Sequence, residues 1–355
     1  MSGESGLVYK GYATTSEKWQ DEYEVKEFEP TEFREDFIEV KIAYCGICSS
    51  DVHTLSGGWG DVKDPLVSGH EICGTVTRVG PKVTEFKVGD WAVIGAQLDS
   101  CGKCKPCNDN NENYCPEAID TYNAPEKDGK LTQGGYATAI RAPEKFVFHL
   151  PEGLAPEDAA PMACGGLTVW SPMMRYGVKK GTKMAVVGLG GLGHFAVMFA
   201  AALGAEVTVF GHQADKKDDA IKMGAKDYVL TDGDEWAKPY ALYFDFILST
   251  VDNSKAIPLT DLVTMLYVNG RLHIAAMPDD ELPPFKSQAL AGNGATLAVN
   301  HIGSKPEAEA MFKFAAEKGI KAWKEILPMK DVAKGVKGVY NNDVRYRYVL
   351  KQDLL

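Results

Sequence analysis

Long uninterrupted apolar runs are missing from this sequence. The longest, around residues 195–205, falls short of the roughly 20 residues a membrane-spanning helix needs and predicts a small-residue helix in a globular domain. Positive charge is also scarce. Lys and Arg total 38 against 49 Asp and Glu, for a net charge of −11, and no basic run stands out, which argues against a nucleic-acid partner. The first residues lack a charged head followed by an apolar stretch, so a secretory signal is not expected and the cytoplasm is the expected compartment. Internal repeats and low-complexity tracts are absent too. The eight cysteines therefore sit in a long, glycine-rich chain with no secretory signature, where metal ligation explains them better than disulfides. At 355 residues the chain can build two domains and a sizeable core.

Soft donors are concentrated in one stretch. Cys45-Gly46-Ile47-Cys48-Ser49-Ser50-Asp51-Val52-His53 is followed by Gly69-His70-Glu71. Thiol and imidazole together suit zinc, and a catalytic zinc takes three protein ligands and leaves one position open. Cys48 and His70 are candidates for two of the three, with Cys45 the alternative thiol; the third must come from farther along the chain. A second cluster, Cys101-x-x-Cys104-x-x-Cys107-x7-Cys115, lies in a loop rich in Asn, Asp, Gly and Lys. Four thiols at this spacing can close a tetrahedral zinc with no position left for water, which makes such a site structural. Four unligated, oxidisable loop thiols would be the alternative.

The texture of the chain changes near Pro156. Before it, alternating runs such as residues 37–42, 74–80 and 91–94, punctuated by Gly80-Pro81 and Val88-Gly89-Asp90, predict a barrel-like β domain whose loops carry the metal sites. After it, a small-residue helical stretch over 159–175 leads to the unbroken apolar run Lys183–Val187, which predicts a buried strand. Gly188-Leu189-Gly190-Gly191-Leu192-Gly193 follows that run and opens a helix over 194–203. In this strand–turn–helix setting the glycines let the backbone approach a pyrophosphate at the helix N-terminus. Runs at 206–210, 244–248 and 271–275 predict further parallel strands. From about residue 299 the pattern ends; an amphipathic helix over 305–319 and a strand over 345–350 are expected to rejoin the first domain.

The residues after the second strand bear on cofactor choice. An acidic residue there would hydrogen-bond ribose hydroxyls and repel a 2′-phosphate. This chain has Gly211-His212-Gln213-Ala214-Asp215-Lys216-Lys217, which leaves room and positive charge for the phosphate of NADP(H), with Asp215 pulling the other way.

With these motifs assembled, the chain resembles the zinc-dependent medium-chain alcohol dehydrogenases, most closely their cinnamyl-alcohol-dehydrogenase-like, NADP-preferring branch. The resemblance runs nearly end to end. It includes residues 45–53 and 69–71, the four-cysteine lobe, Gln133-Gly134-Gly135-Tyr136-Ala137, Cys164-Gly165-Gly166-Leu167-Thr168-Val169, the glycine turn and Asp343-Val344-Arg345-Tyr346-Arg347. It implies an α/β protein: a GroES-like β-rich catalytic domain over 1–155, completed by 299–355, and a Rossmann doubly wound parallel-sheet domain over 156–298. It supplies Cys164 as the third catalytic zinc ligand, selects Cys48 over Cys45, and implies two zinc ions and NADP(H) per chain. Asp51 would fix the His70 tautomer and Glu71 would lie beside the metal. Ser50 and His53 would relay the alcohol proton, though a surface imidazole is the plainer reading of His53. Besides the glycine turn, Gly211, His212 and Lys216, the cofactor would meet Thr250, Asn300 and Ile302, with Asn300-His301 departing from the usual Ser-Phe. Leu55, Trp59, Tyr122 and His301 are candidates for the substrate pocket, though each could equally be core.

The implied activity is reversible hydride transfer between NADP(H) and medium aliphatic or aromatic, cinnamyl-type alcohols and aldehydes, by a homodimer. Alkene or iminium reduction, or a nucleotide-binding scaffold without catalysis, are the alternatives.

Overall fold

The computed structural model describes residues 6–233 and 235–355; residues 1–5, which open the expected first domain, and Asp234 lie outside the described residues. Two compact units result, one formed by Met1–Leu167 with Gly303–Leu355 and the other by Thr168–Ile302.

The first unit is built on a seven-stranded sheet. Its order is Lys324–Pro328, Arg347–Lys351, Phe37–Gly46, Glu71–Val79, Trp91–Ile94 and Val147–His149, with Ala139–Pro143 also pairing Phe37–Gly46. The strand Phe37–Gly46 is central and buried along most of its length, with Phe37, Ile38, Val40, Ile42 and Cys45 all in the interior. Its end, Tyr44 to Gly46, meets Arg347–Lys351 antiparallel, so the C-terminal segment does return to this unit. The other side of that end pairs with Glu71–Val79, with Gly46 opposite Glu71 and Cys45 opposite Ile72. That register brings Cys48, two residues past the strand, close to His70, one residue before its neighbour.

The expected boundary at 155/156 moves to 167/168. The helix Pro156–Pro161 packs on Phe37–Gly46 and Glu71–Val79, and Asp158 pairs with Lys324 at 2.6 Å, which ties the segment into the first unit. The helical stretch expected over 159–175 forms in pieces. A π-helical turn, Met162–Gly166, separates Pro156–Pro161 from the helix Leu167–Arg175.

The second unit is a six-stranded parallel sheet in the order Asp227–Leu230, Glu206–Gly211, Lys183–Val187, Phe244–Ser249, Leu266–Ile274, Thr296–Val299. Numbered within the unit this is 3-2-1-4-5-6, the doubly wound dinucleotide-binding order. The sequence reverses direction on either side of Lys183–Val187, and ligands bind such sheets at the carboxyl ends of the strands beside that reversal. The glycine turn begins there, at Gly188.

Candidate functional site

The thiol–imidazole site is held together from within the first unit. Cys48 caps the helix Ser49–Leu55, and its backbone N–H donates to Asp51 Oδ2 at 2.9 Å. Asp51 Oδ1 accepts from the Gly69 N–H, also at 2.9 Å, and Oδ2 accepts from the Tyr136 hydroxyl at 2.8 Å. One buried carboxylate thus fixes the backbone on both sides of the site, beside Cys48 and beside His70. Gly69 permits this by a φ of +96°, and a side chain there would strike the Tyr136 ring at 2.6 Å.

Four donors converge on the result. One ligand atom each from Cys48, His70, Glu71 and Cys164 lies within 4.8 Å of the other three, and all four residues are buried. The two sulfurs are 3.9 Å apart. His70 Nε2 is buried and accepts or donates no hydrogen bond, an expensive state for an imidazole nitrogen unless a ligand completes it. Contact with the Cys164 thiol holds Cys48 well below the usual thiol range despite burial, with His70 assisting. Burial opposes an imidazolium at His70, but the Cys48 sulfur and the Asp51 and Glu71 carboxylates outweigh it and raise the ring to about 9. A set of donors that draws a proton so strongly fits a divalent cation of borderline softness.

Glu71 is tied down on the far side. Burial pushes its carboxyl up to about 8 against the pull of Arg347, whose guanidinium Nη2 donates to both carboxylate oxygens. The Gly165 N–H donates to Glu71 Oε1 at 3.3 Å, so the pair also steadies the turn that carries Cys164. Gly46 leaves the space this needs: a Cβ there would lie 2.0 Å from Glu71 Oε2. Arg347 and Tyr136 received no role from the sequence. An arginine inside the apolar run Tyr346–Leu350 was the available signal, since a buried guanidinium requires a buried partner.

The remaining candidates fall at varying positions. Ser50 Oγ lies 3.4 Å from Cys48 Sγ. The Tyr122 ring stacks on His70, with centroids 5.6 Å apart and planes 7° from parallel. His53 stacks on the half-exposed Trp59 at 4.9 Å and 9°. Leu55, a candidate for the substrate pocket or for the core, is fully buried in the hydrophobic core, where the helix Ser49–Leu55 turns its apolar face inward. A separate hollow of about 530 Å³ lined by Phe86, Trp91 and His149 contains none of these donors.

In the four-cysteine lobe, sulfurs lie at 3.4 Å (Cys104–Cys107), 3.6 Å (Cys101–Cys115) and 3.8 Å (Cys104–Cys115). Backbone N–H groups of Cys101 and Glu117 donate to Cys115 Sγ, and that of Cys104 to Cys101 Sγ. Such bonds favour thiolates, the form that binds metal.

The nucleotide turn is described within the second unit. Gly188 has φ +91°, and a Cβ on Gly193 would sit 2.1 Å from the Gly188 carbonyl oxygen, whereas one on Gly190 would meet nothing within 4 Å. The open face at Gly190 leaves room for a ligand against the backbone, and the N-terminus of the helix Gly193–Ala202 adds N–H donors. Thr250 Oγ1 contacts the Val187 and Gly188 carbonyls, and Lys216 Nζ donates to the Leu189 carbonyl at 2.9 Å, placing an ammonium at the turn. At Gly211 a Cβ would come within 2.4 Å of the Tyr228 hydroxyl, which donates to the Gln213 carbonyl. Any acidic side chain at 211 would have to displace that tyrosine. The Asn300 amide is committed to structure: Nδ2 donates to the Ile302 carbonyl at 2.7 Å and the Thr168 carbonyl at 3.3 Å, and Oδ1 meets His273 Nε2 at 2.8 Å. Ile302, with φ +41°, and His301 follow it.

Comparison with known proteins agrees with this geometry. Residues 34–152 match the family model for the alcohol dehydrogenase GroES-like domain, and residues 191–317 match that for zinc-binding dehydrogenases. A NADP-dependent alcohol dehydrogenase of Saccharomyces cerevisiae is 38% identical over 352 residues, covering 96% of each chain. From Rauvolfia serpentina, a cinnamyl alcohol dehydrogenase is 42% identical and a vomilenine reductase 41% identical, each over 317 residues, 88% of this chain and 87% of theirs. The solved structure of a cinnamyl alcohol dehydrogenase from Sorghum bicolor superposes with a TM-score of 0.93 at 34% identity, over 97% of this chain and 98% of that one. That of the Helicobacter pylori enzyme complexed with NADP(H) gives 0.89 at 32%, with the same coverage. Two units, a doubly wound nucleotide sheet and two clusters of metal donors therefore coincide with the family match, and the chain belongs to the zinc-type medium-chain alcohol dehydrogenases, in their cinnamyl-alcohol-dehydrogenase-like branch.

Proposed function

We propose that this alcohol dehydrogenase interconverts primary alcohols and aldehydes, medium aliphatic and aromatic, using NADP(H), with one zinc held by Cys48, His70 and Cys164 and a second by Cys101, Cys104, Cys107 and Cys115. The observation that carries the reading is the convergence of two thiols and a buried imidazole nitrogen with no hydrogen-bond partner. When bound, zinc supplies a Lewis acid for the carbonyl oxygen, and the nicotinamide supplies or accepts the hydride.

The chain's own residues do the rest. Asp51 keeps Cys48 and His70 in register through the backbone it holds. Ser50, 3.4 Å from Cys48 Sγ, donates a proton to the substrate oxygen during reduction and accepts it during oxidation. His53, partly exposed one turn further along the same helix, passes that proton to solvent. Glu71, neutralised by Arg347, stays beside the donors without adding a free charge. Tyr122 and Trp59, stacked on His70 and His53, offer flat apolar walls to a planar substrate.

Preference for NADP(H) is supported by the absence of an acid at 211, by Tyr228 filling that space, and by Lys216 at the turn. Two relatives are named for NADP, and several for cinnamyl alcohol. Among the described residues no helix is long and apolar enough to cross a membrane; cytoplasmic location and pairing into a homodimer belong to this proposal. Alkene or iminium reduction is a second reading, since a relative of similar identity is named a reductase of vomilenine. An aldehyde panel assayed with NADPH and NADH in parallel tests the proposal. Turnover of cinnamyl-type aldehydes with NADPH well above NADH is expected; activity confined to conjugated alkenes or imines, or a clear preference for NADH, would refute it.

A further inference from the structure

Within the four-cysteine lobe, between Cys107 and Cys115, lies Glu112, a carboxylate only 2% exposed. Its partner is not another lobe residue. Glu112 Oε1 accepts at 2.7 Å from the backbone N–H of Lys305, the first residue of the helix Lys305–Lys318, 193 positions away. That N–H is one of the donors a helix leaves unpaired at its start, and a carboxylate there also meets the positive end of the helix dipole. Ser304 and Glu307 form a capping box around it, but neither satisfies the Lys305 N–H. Glu112 Oε2 lies 3.7 Å from Lys145 Nζ, which in turn donates to the Cys107 carbonyl at 3.3 Å. Lys305 Nζ closes the other side on the Glu144 carbonyl at 3.0 Å. The lobe, the residues just before Val147–His149, and the helix start are thereby stitched into one polar cluster.

The helix carries this fixation inward. Its buried face is Ala308, Met311, Phe312 and Ala315, the i, i+3, i+4, i+7 pattern. Phe312 packs on Phe148, with ring centroids 6.2 Å apart. Met311 lies against Gly166: a Cβ added there would be 3.1 Å from the Met311 sulfur. Gly166 ends the π-helical turn Met162–Gly166, and Cys164 is that turn's middle residue. Turns of this kind are irregular and depend on neighbours to hold them.

We propose that the four-cysteine lobe positions Cys164 through Glu112 and the helix Lys305–Lys318, so that the state of the lobe's thiols is felt at the thiol–imidazole site. Glu112 is a positioning residue in this scheme and touches no reacting atom. Metal loss from the lobe withdraws the cap, loosens the first turn of the helix, and frees the Met311–Gly166 contact. The inference rests on the reading of Cys164 as a metal ligand only for its consequence; the mechanical link stands on contacts alone.

The test uses the full-length, metal-loaded protein with Glu112→Ala and Glu112→Gln, the second keeping an acceptor for the Lys305 N–H. Hydrogen exchange at residues 162–166 is measured, together with the visible absorption of the protein carrying cobalt(II) in the Cys48–His70–Cys164 site. The Ala variant is expected to exchange about five- to tenfold faster at 162–166, in line with loss of one helix cap, and to show a shifted cobalt band. The Gln variant should restore both. Faster exchange at 305–308 with no change at 162–166 or in the cobalt band would overturn the proposal. Should Glu112→Ala fail to fold, Met311→Leu leaves the lobe intact and removes the sulfur that lies against Gly166; the same two signals are expected, and their absence overturns the link. If the wild type gave no cobalt band while exchange responded as described, the metal assignment would fail and the coupling would stand.

Discussion

Replacing Arg347 by Met should damage the first unit far more than its loss of one charge suggests. The Arg347 side chain is 4% exposed and that of Glu71 is not exposed at all. The guanidinium meets both carboxylate oxygens, and the Gly165 N–H donates to one of them at 3.3 Å. Removing one member of a buried pair strands the other, at a cost of about 3–5 kcal/mol. Exposed ion pairs such as Lys18–Glu22, held in water and screened by salt, contribute little by comparison. The penalty comes from the orphaned carboxylate, so Arg347→Met combined with Glu71→Gln should recover at least about 2 kcal/mol of it. Urea unfolding followed by hydrogen exchange in the strand Phe37–Gly46 reads the first unit apart from the second, which matters because a chain of two units need not unfold in one step. Equal losses for Arg347→Met alone and for the double variant would refute the idea that an unpaired buried carboxylate dominates.

Three further outcomes follow from the site. Ser50→Ala should cut turnover roughly 10²- to 10³-fold while leaving NADPH affinity nearly unchanged; unaltered turnover would remove Ser50 from the proton path. Lys216→Ala should weaken NADPH roughly five- to tenfold more than NADH by binding titration, and an equal effect on both would show that Lys216 does not select for the phosphate. Gly193→Ala places a methyl group 2.1 Å from the Gly188 carbonyl and should abolish cofactor binding while metal content is unchanged; retained binding would mean the turn adapts more freely than its packing implies.

Much of the fold was legible because periodicity and glycine placement are local signals. The run Lys183–Val187 is a strand with those bounds, and the helix expected over 305–319 forms at Lys305–Lys318, closed by Gly319 at φ +64°. The break at Met162–Gly166 was not legible. Its small residues are all compatible with a helix, and only the Gly165-Gly166 pair hints at the irregularity that carries Cys164. Arg347 and Glu112 escaped for a different reason. Their partners lie 276 and 193 residues away, at Glu71 and Lys305, and sequence patterns carry no information about such distances. For Leu55 the sequence left pocket and core open; in the helix Ser49–Leu55 it lies on the same face as the buried Asp51 and Val52. Asn300, a departure from the usual family pattern, reads as a structural amide once its three partners are seen.

Zinc content per chain, measured for the wild type and for Cys48→Ser alongside activity, tests the central claim most directly. Two zinc ions are expected in the wild type, and one in Cys48→Ser together with loss of aldehyde reduction. Full activity in Cys48→Ser, or a wild type that works without zinc, would contradict the account.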